Sequence, residues 1–198
     1  MPKPPRVSTP ADARLANLLG ALSTGLNDTA QESAGAAARL DGSAPAALIA
    51  LLDFLPGGTV RDLSWVVGLT HSGAVRLVDR LAVAGLVARN PGSDARSRSI
   101  SLTAAGSRLA KRVRSAREAA LIRTVHQLRD RERATLTKLC ERVIAEVARQ
   151  RLERRAGNRP PAGGALCRMC DFTACGRGDG DCPAAEAAAT YHGQHLAR

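Results

Sequence analysis

Four cysteines near the C-terminal end of the chain are the residues whose type and spacing point most directly to chemistry. They form a C-x2-C-x4-C-x6-C pattern, with Pro183 after the last of them: Cys167, Cys170, Cys175 and Cys182. Four thiols so close together in an intracellular protein are more often metal ligands than disulfide partners. The flanking glycines argue against a core built by this segment alone. The pattern therefore predicts one metal centre on the four cysteines.

The identity of the metal is left open by the spacing. Zinc is the commoner structural metal on four thiolates, but its sites usually carry two short C-x2-C pairs and this chain has one. A single C-x2-C with two scattered cysteines, the last followed by proline, is more typical of iron–sulfur ligation. Zinc and an iron–sulfur cluster are therefore alternatives, and a redox disulfide or inert thiols are the others. His192 and His195 are substitute ligands, although an isolated tail histidine is usually solvated.

The positive charge is concentrated in one part of the chain. The formal net charge is +11, and all of the excess lies between Arg61 and Arg155. Such a stripe favours a polyanionic partner, although a solvated arginine-rich helix face would look similar. Aromatic residues make up only 2% of the chain, which argues against a stacking platform for single-stranded nucleic acid.

The chain carries no sign of membrane insertion or secretion. No segment is apolar for about 18 residues, and the first fifteen residues hold four prolines and no hydrophobic leader. We therefore expect a cytoplasmic protein without a membrane partner.

Two short helices and a hairpin are predicted in the middle of the chain. Thr59 and Thr70 are placed to cap helices that end near Val67 and Ala84, with a tight turn at Gly68 between them. Gly85 ends the second helix, and residues 86–89 and 98–102 then have the composition and alternation of paired strands. A hairpin directly after such a helix pair is a wing, so this order predicts a winged helix-turn-helix.

Longer helices flank this unit. Leucines recur at helical spacing between residues 11 and 40, and a second helix is expected over 44–55. Two more helices are expected over 103–128 and 131–155, and the last has an apolar stripe that includes Cys140, interpreted as core filler. Striped helices at both ends need a partner, so we predict a homodimer through the terminal helices, with an intramolecular bundle as the alternative.

Residues 35–155 resemble the MarR family of transcriptional regulators. Three stretches carry the resemblance: PGGTVRDL at 56–63, the segment from Leu69 to Leu86 that contains RLVDRL, and the wing, where Asp94-Ala95-Arg96 precedes ISLTAAG at 100–106. The D-x-R…L-T-x-x-G pattern of the wing is the most specific of the three. Their order and spacing together make the match strong.

The resemblance implies a mainly α-helical dimer with a small two-stranded β wing on each protomer. The start of the recognition helix would then meet the major groove of double-stranded DNA through His71, Ser72, Gly73, Ala74 and Arg76. Arg96 would enter the minor groove, oriented by Asp94, and Arg98 would contact phosphate. Arginine chemistry agrees, since a guanidinium binds guanine in a bidentate way and suits a narrow minor groove. Arg76 could instead pair with Asp79 or Asp62.

These observations divide the chain into five predicted regions. They are a disordered arm at 1–10, an N-terminal dimerisation helix at 11–40, the winged helix-turn-helix at 41–106, C-terminal dimerisation helices at 107–156, and a glycine-rich linker with a four-cysteine metal-binding tail at 157–198.

The predicted function is a MarR-type regulator, a repressor that binds a pseudo-palindromic operator. Its affinity for DNA would depend on the state of the cysteine centre or on a small-molecule effector. The alternative is a metal-bearing adaptor for protein partners with only non-specific DNA binding. No Ser/His/Asp set, phosphate loop or carboxylate pair is apparent, so the sequence does not indicate an enzyme.

Overall fold

Helices make up most of the fold, which a computed structural model describes for residues 9–91, 98–157, 159 and 163–196. The chain opens with α1 (Pro10–Ala38) and α2 (Ala44–Ile49), which continues into a π-helical turn (Ala50–Phe54). The elements that follow are α3 (Val60–Val67), α4 (His71–Val83), β1 (Val87–Pro91), β2 (Arg98–Leu102), α5 (Ala104–Thr124), α6 (Asp130–Ala156) and α7 (Pro183–Leu196).

Side-chain caps begin the helices of the central unit where the sequence predicted them. The Thr59 hydroxyl accepts from the Asp62 amide at 3.2 Å, and the Asp62 carboxylate accepts from the Thr59 amide at 3.0 Å. Thr70 caps α4 by accepting from the Gly73 amide at 3.1 Å, and Thr103 caps α5 in the same way. Each cap satisfies amides that the first turn of a helix leaves without partners.

The wing is an antiparallel pair fastened to the start of α3. Val87 lies opposite Leu102 and Pro91 opposite Arg98, while the turn between the strands, residues 92–97, falls outside the described residues. The Ile100 amide donates to the Gly58 carbonyl at 2.8 Å, next to a β-bridge between Thr59 and Ser99. The wing and α3 therefore form one backbone-bonded unit.

The main core lies where α2, α3, α4, α5 and the wing meet. Its largest fully buried side chains include Leu48, Leu63, Val78, Leu81 and Ile100. The predicted fold class, mainly α with a two-stranded wing, is thus confirmed. In the part of the chain that the structure describes, no helix is both long and apolar enough to cross a membrane.

The outer helices leave apolar side chains uncovered in the single chain. α1 packs along α5 through its C-terminal half, where Ala30, Ala34 and Ala38 are buried. The exposed apolar side chains are Leu15, Leu18, Leu19 and Leu22 on α1 and Leu139, Val143 and Ile144 on α6. Cys140 lies beside the α6 set and is exposed, so its interpretation as core filler is wrong for the single chain.

The cysteine segment (residues 163–182) has more structure than the sequence suggested. Helix α7, which the sequence analysis missed, packs along α6, and Ala148, Cys182 and Ala184 form a small buried cluster there. Ala165 and Met169 join the main core instead. The segment therefore packs on two neighbours, the main core and the α6–α7 pair.

Candidate nucleic-acid interface and cysteine segment

The first turn of α4 presents part of the predicted DNA-reading set to solvent. His71, Ser72 and Arg76 are exposed, and Gly73 is half-buried beneath the Thr70 cap. Ala74 is fully buried and packs into the interior, so its predicted place on the DNA-reading face is wrong. The reason is helical phase, since Ala74 precedes the buried Leu77, Val78 and Leu81 by three, four and seven residues.

The two carboxylates considered as partners of Arg76 have other partners, and Arg76 is exposed. Asp79 instead pairs with Arg89, whose Nη2 lies 2.5 Å from the Asp79 Oδ1, and Asp62 serves the α3 cap. The Arg89 pair joins β1 to α4, a link that the sequence analysis did not identify. It is one of the contacts between the wing and α4.

The wing contributes one described residue to the predicted interface. Arg98 is exposed at the start of β2, opposite Pro91. Asp94 and Arg96 lie outside the described residues, so their predicted roles remain predictions.

The four cysteines of the segment come together as two pairs of thiols. Cys167 and Cys170 are hydrogen-bonded to each other, and so are Cys175 and Cys182. A tight turn sets the first pair, because the Cys170 amide donates to the Cys167 carbonyl at 3.0 Å. Within the described residues, no three His, Cys, Asp or Glu side chains already stand in the arrangement of a metal site.

Arginines surround the thiols and act on their protonation. The hydrogen bond with Cys167 and the guanidinium groups of Arg117, Arg177 and Arg168 lower the pKa of Cys170 to about 7, against the effect of burial. The same hydrogen bond and burial raise the pKa of Cys167. The arrangement favours a thiolate on Cys170, the ionised form that binds metal.

A glycine contact seats the segment on the turn of the helix-turn-helix. The Ala165 amide donates to the Val66 carbonyl at 2.7 Å, and Arg151 of α6 donates to the Gly164 carbonyl. A Cβ on Gly68 would lie 2.6 Å from the Gly164 nitrogen, closer than real Cβ atoms approach. The sequence placed Gly164 in a glycine-rich linker, whereas here its missing side chain permits backbone contact.

An arginine bridge ties the segment to the π-helical turn. Arg114 on α5 pairs with Asp53, and its Nε lies 3.1 Å from an Asp171 carboxylate oxygen. Phe54 and Phe172 pack edge to face with ring centroids 5.8 Å apart. The π-helical turn therefore places both a carboxylate and an aromatic ring against the cysteine segment.

Trp65, the single tryptophan, lies near the start of the cysteine segment. The Arg155 guanidinium lies over the Trp65 ring at 4.1 Å from its centroid. A cavity of about 250 Å³ beside them is lined by Trp65, Ala165, Leu166 and Cys167 among others. Trp65 is thus a spectroscopic reporter at the junction of α3, α6 and the cysteine segment.

The solved structures that this chain resembles are winged-helix regulators. A MarR family protein from Bacillus stearothermophilus has 27% sequence identity and a TM-score of 0.60, over 68% of this chain and 94% of that one. A Mycobacterium tuberculosis protein has 23% identity and a TM-score of 0.56, over 79% and 99% of the two chains. CouR from Rhodococcus jostii, solved with p-coumaroyl-CoA, has 24% identity and a TM-score of 0.51, over 65% and 90%.

Comparison of the sequence itself is less informative. No family model matches the chain, and no curated protein matches it. The resemblance at the level of structure is therefore to MarR-type winged-helix proteins, and about a third of this chain extends beyond its alignment with the Bacillus stearothermophilus protein.

Proposed function

We propose that this chain is a MarR-type transcriptional regulator that binds double-stranded DNA through α4 and the wing. One observation carries the proposal: an exposed helix start bearing His71, Ser72 and Arg76 is held in a fixed relation to the wing. The Asp79–Arg89 ion pair joins α4 to β1, and the Thr59–Ser99 bridge joins α3 to β2. A helix and a wing that are held in a fixed relative position can contact adjacent grooves of DNA at the same time.

The charge distribution supports a polyanionic partner. The excess of basic residues falls on α4, the wing, α5 and α6, while residues 156–198 carry four basic and four acidic residues. Arg98 at the start of β2 is placed to supply a phosphate contact, which adds affinity without reading sequence. The proposed mode of action is repression, by occupying an operator. The regulators among the structural neighbours also favour a role other than catalysis.

A homodimer is part of the proposal. Leu18 and Leu22 on α1 are 53% and 52% exposed, and Leu139 and Val143 on α6 are about as open. Apolar stripes of this kind on both terminal helices are costly in water and are covered when a second copy packs against them. A symmetric dimer would present two copies of α4 to a pseudo-palindromic site.

A small-molecule effector has a candidate place between the helices and the cysteine segment. A cavity of about 300 Å³ is lined by α1 and α5 residues, Met169 and the two cations Arg117 and Arg168. Apolar walls with two guanidinium groups suit an organic acid. We propose an anionic effector of this class, which would bias the dimer between DNA-binding and released forms.

The test is selection of an operator from random duplex DNA, followed by gel shift against salt and competitor. We expect a specific site that survives excess competitor, and a loss of about 1–3 kcal/mol in operator binding for Arg76→Ala. Arg14→Ala on α1, another exposed arginine, is the matched control and should bind as the parent does.

The opposite outcome supports the adaptor alternative. Binding that is weak, strongly salt-dependent and equal for all sequences would mean that the basic surface serves solubility and non-specific contact. Sedimentation of the same preparation tests the dimer, which Leu18→Glu with Leu22→Glu should convert to a monomer.

A further inference from the structure

We propose that Cys167, Cys170, Cys175 and Cys182 together take one thiophilic metal centre, and that this centre fastens the cysteine segment to the turn of the helix-turn-helix. The centre is a zinc ion or an iron–sulfur cluster, the two groups that bind four thiolates. The metal part of the proposal stands on the cysteine segment and does not depend on DNA binding.

The four thiols come from different parts of the cysteine segment. Cys167 and Cys170 sit on one tight turn, while Cys175 belongs to the next turn and Cys182 precedes α7. Each pair also acts electrostatically on the other, Cys182 on Cys167 and Cys170 on Cys175. Ligation requires the two pairs to close on a common point, and the chain between Cys175 and Cys182 turns at Gly176 and Gly180, both with positive φ.

Several arginine side chains lie around the thiols, and an anionic centre would balance their positive charge. Arg168 donates to the Ala165 carbonyl at 2.9 Å, Arg117 to the Met169 carbonyl at 3.3 Å and Arg151 to the Gly164 carbonyl, so three guanidinium groups lie against the backbone of the cysteine segment. Arg177 adds a fourth cation and lies over the Phe172 ring at 4.7 Å. A divalent ion on four thiolates carries a net charge of about −2, and such a centre would relieve the repulsion among the arginines.

Helix α7 supplies a favourable position for the last ligand. The Cys182 carbonyl accepts from the amides of Ala185 and Glu186, both at 3.0 Å, so Cys182 stands at the start of the helix. It is 4% exposed. The last ligand is therefore buried against the first turn of α7.

The site is next to the element that the centre would hold. Ala165 and Gly164 lie two and three residues before Cys167. Their backbone contacts Val66 and Gly68. Gly68 ends α3 in a left-handed conformation and starts the turn into α4. A centre that orders the segment therefore orders the backbone that buttresses this turn.

The first experiment measures what the thiols carry. The full chain, purified without oxygen, should contain one zinc per chain and be colourless, or contain iron and sulfide and be brown. Metal-free reduced protein should take up one Zn²⁺ in titration if zinc is the resident ion. Protein that holds neither metal and fails to bind Zn²⁺, or that shows a Cys167–Cys170 disulfide by mass spectrometry when purified without oxygen, overturns the proposal.

Single substitutions to serine assign the ligands. Each of Cys167→Ser, Cys170→Ser, Cys175→Ser and Cys182→Ser should lose most of the metal, while Cys140→Ser, the exposed cysteine on α6, should keep it. Circular dichroism shows whether a variant has folded, and chelation of the unaltered protein gives a metal-free sample that needs no substitution. Metal retained by all four variants, or lost from Cys140→Ser, contradicts the assignment.

Amide hydrogen exchange tests whether the metal centre holds the cysteine segment against the turn of the helix-turn-helix. On removal of the metal, the Ala165 amide, which donates to Val66, should exchange at least about tenfold faster. The Ile100 amide, which donates to Gly58 within the wing unit, should be unchanged. Equal exchange of Ala165 with and without metal shows that the centre does not hold the segment. These readouts are independent of DNA, so failure of operator binding would not affect them.

Discussion

Gly164 and Gly68 meet backbone to backbone, so that a Cβ added to Gly164 would stand 2.6 Å from the Gly68 nitrogen. This contact joins two parts of the chain that are far apart in sequence, the cysteine segment and the turn of the helix-turn-helix. Both glycines also have positive φ, +78° at Gly164 and +73° at Gly68, a conformation that side chains disfavour. The contact is therefore open to a precise test by substitution.

Gly164→Ala should release the segment from the turn. The new Cβ has no room and the residue is strained, at a cost of about 1–3 kcal/mol. We expect faster exchange at the Ala165 amide and altered Trp65 fluorescence. Gly178→Ala is the matched control, because a Cβ there meets nothing within 4 Å. If both variants behave alike, the Gly68–Gly164 contact does not hold the segment.

Arg114→Met should destabilise the fold by removing the bridge between the π-helical turn and the cysteine segment. Arg114, Asp53 and Asp171 are each less than a quarter exposed, so two carboxylates would lose their common cation. We expect a loss of about 1–3 kcal/mol in urea unfolding, below the figure for a fully buried pair because solvent screens the charges. Arg112→Met, on an exposed part of the same helix, should change little.

A partial rescue would identify charge as the cause. In the Arg114→Met background, Asp53→Asn with Asp171→Asn should recover part of the lost stability, since neutral amides no longer need the cation. Absence of any recovery would mean that Arg114 acts through the packing of its aliphatic stem.

The cap of α3 should make stability depend on pH in acid. Hydrogen bonds from the Thr59 side chain and amide lower the pKa of Asp62 below its usual 3.8. Since the folded-state pKa is lower than the unfolded one, the stabilisation is complete above the unfolded value. It is lost as pH falls through the folded value. The difference in unfolding free energy between the parent and Asp62→Ala should therefore shrink as pH falls below 3.8.

Thr59→Ala removes the same cap and should cost about 1 kcal/mol at neutral pH. Thr9 and Asp12 form an identical box at the exposed start of α1, which makes Thr9→Ala the matched comparison. Its effect should be smaller, because a free helix end frays. An equal loss from the two substitutions would contradict the expectation that the cap of α3 contributes more than the cap of α1.

The wing arginines should separate affinity from specificity. Arg98→Ala should weaken binding to all duplex sequences about equally and reduce the salt slope by about 1. Arg96→Ala, at the predicted wing tip, should cost about 1–3 kcal/mol on the operator. Titrations with operator and unrelated duplex at several salt concentrations distinguish the two. An unchanged salt slope for Arg98→Ala would remove it from the phosphate contacts.

Much of the central unit could be predicted because its determinants are local. Thr59, Thr70 and Thr103 each cap the helix that follows within three residues, and Gly68 and Gly85 lie at helix ends where positive φ is needed. Alternation in 98–102 sufficed for the return strand. Helical phase in α4 also indicates that Ala74 points inward, although the family resemblance placed it among the residues that meet the major groove.

The sequence by itself determined the order of helices, turn and wing, and the set of four cysteines, because spacing and residue type act over a few positions. The tertiary structure decided where the cysteine segment lies, which side chains of α4 face solvent with the wing fixed beside them, and that Arg114 joins Asp53 to Asp171. Those relations depend on close packing between different elements, some of them far apart in the sequence, such as Asp53 and Arg114, which are 61 positions apart. No local pattern encodes which surfaces will fit: Gly164 reaches the Gly68 turn only because neither residue has a side chain.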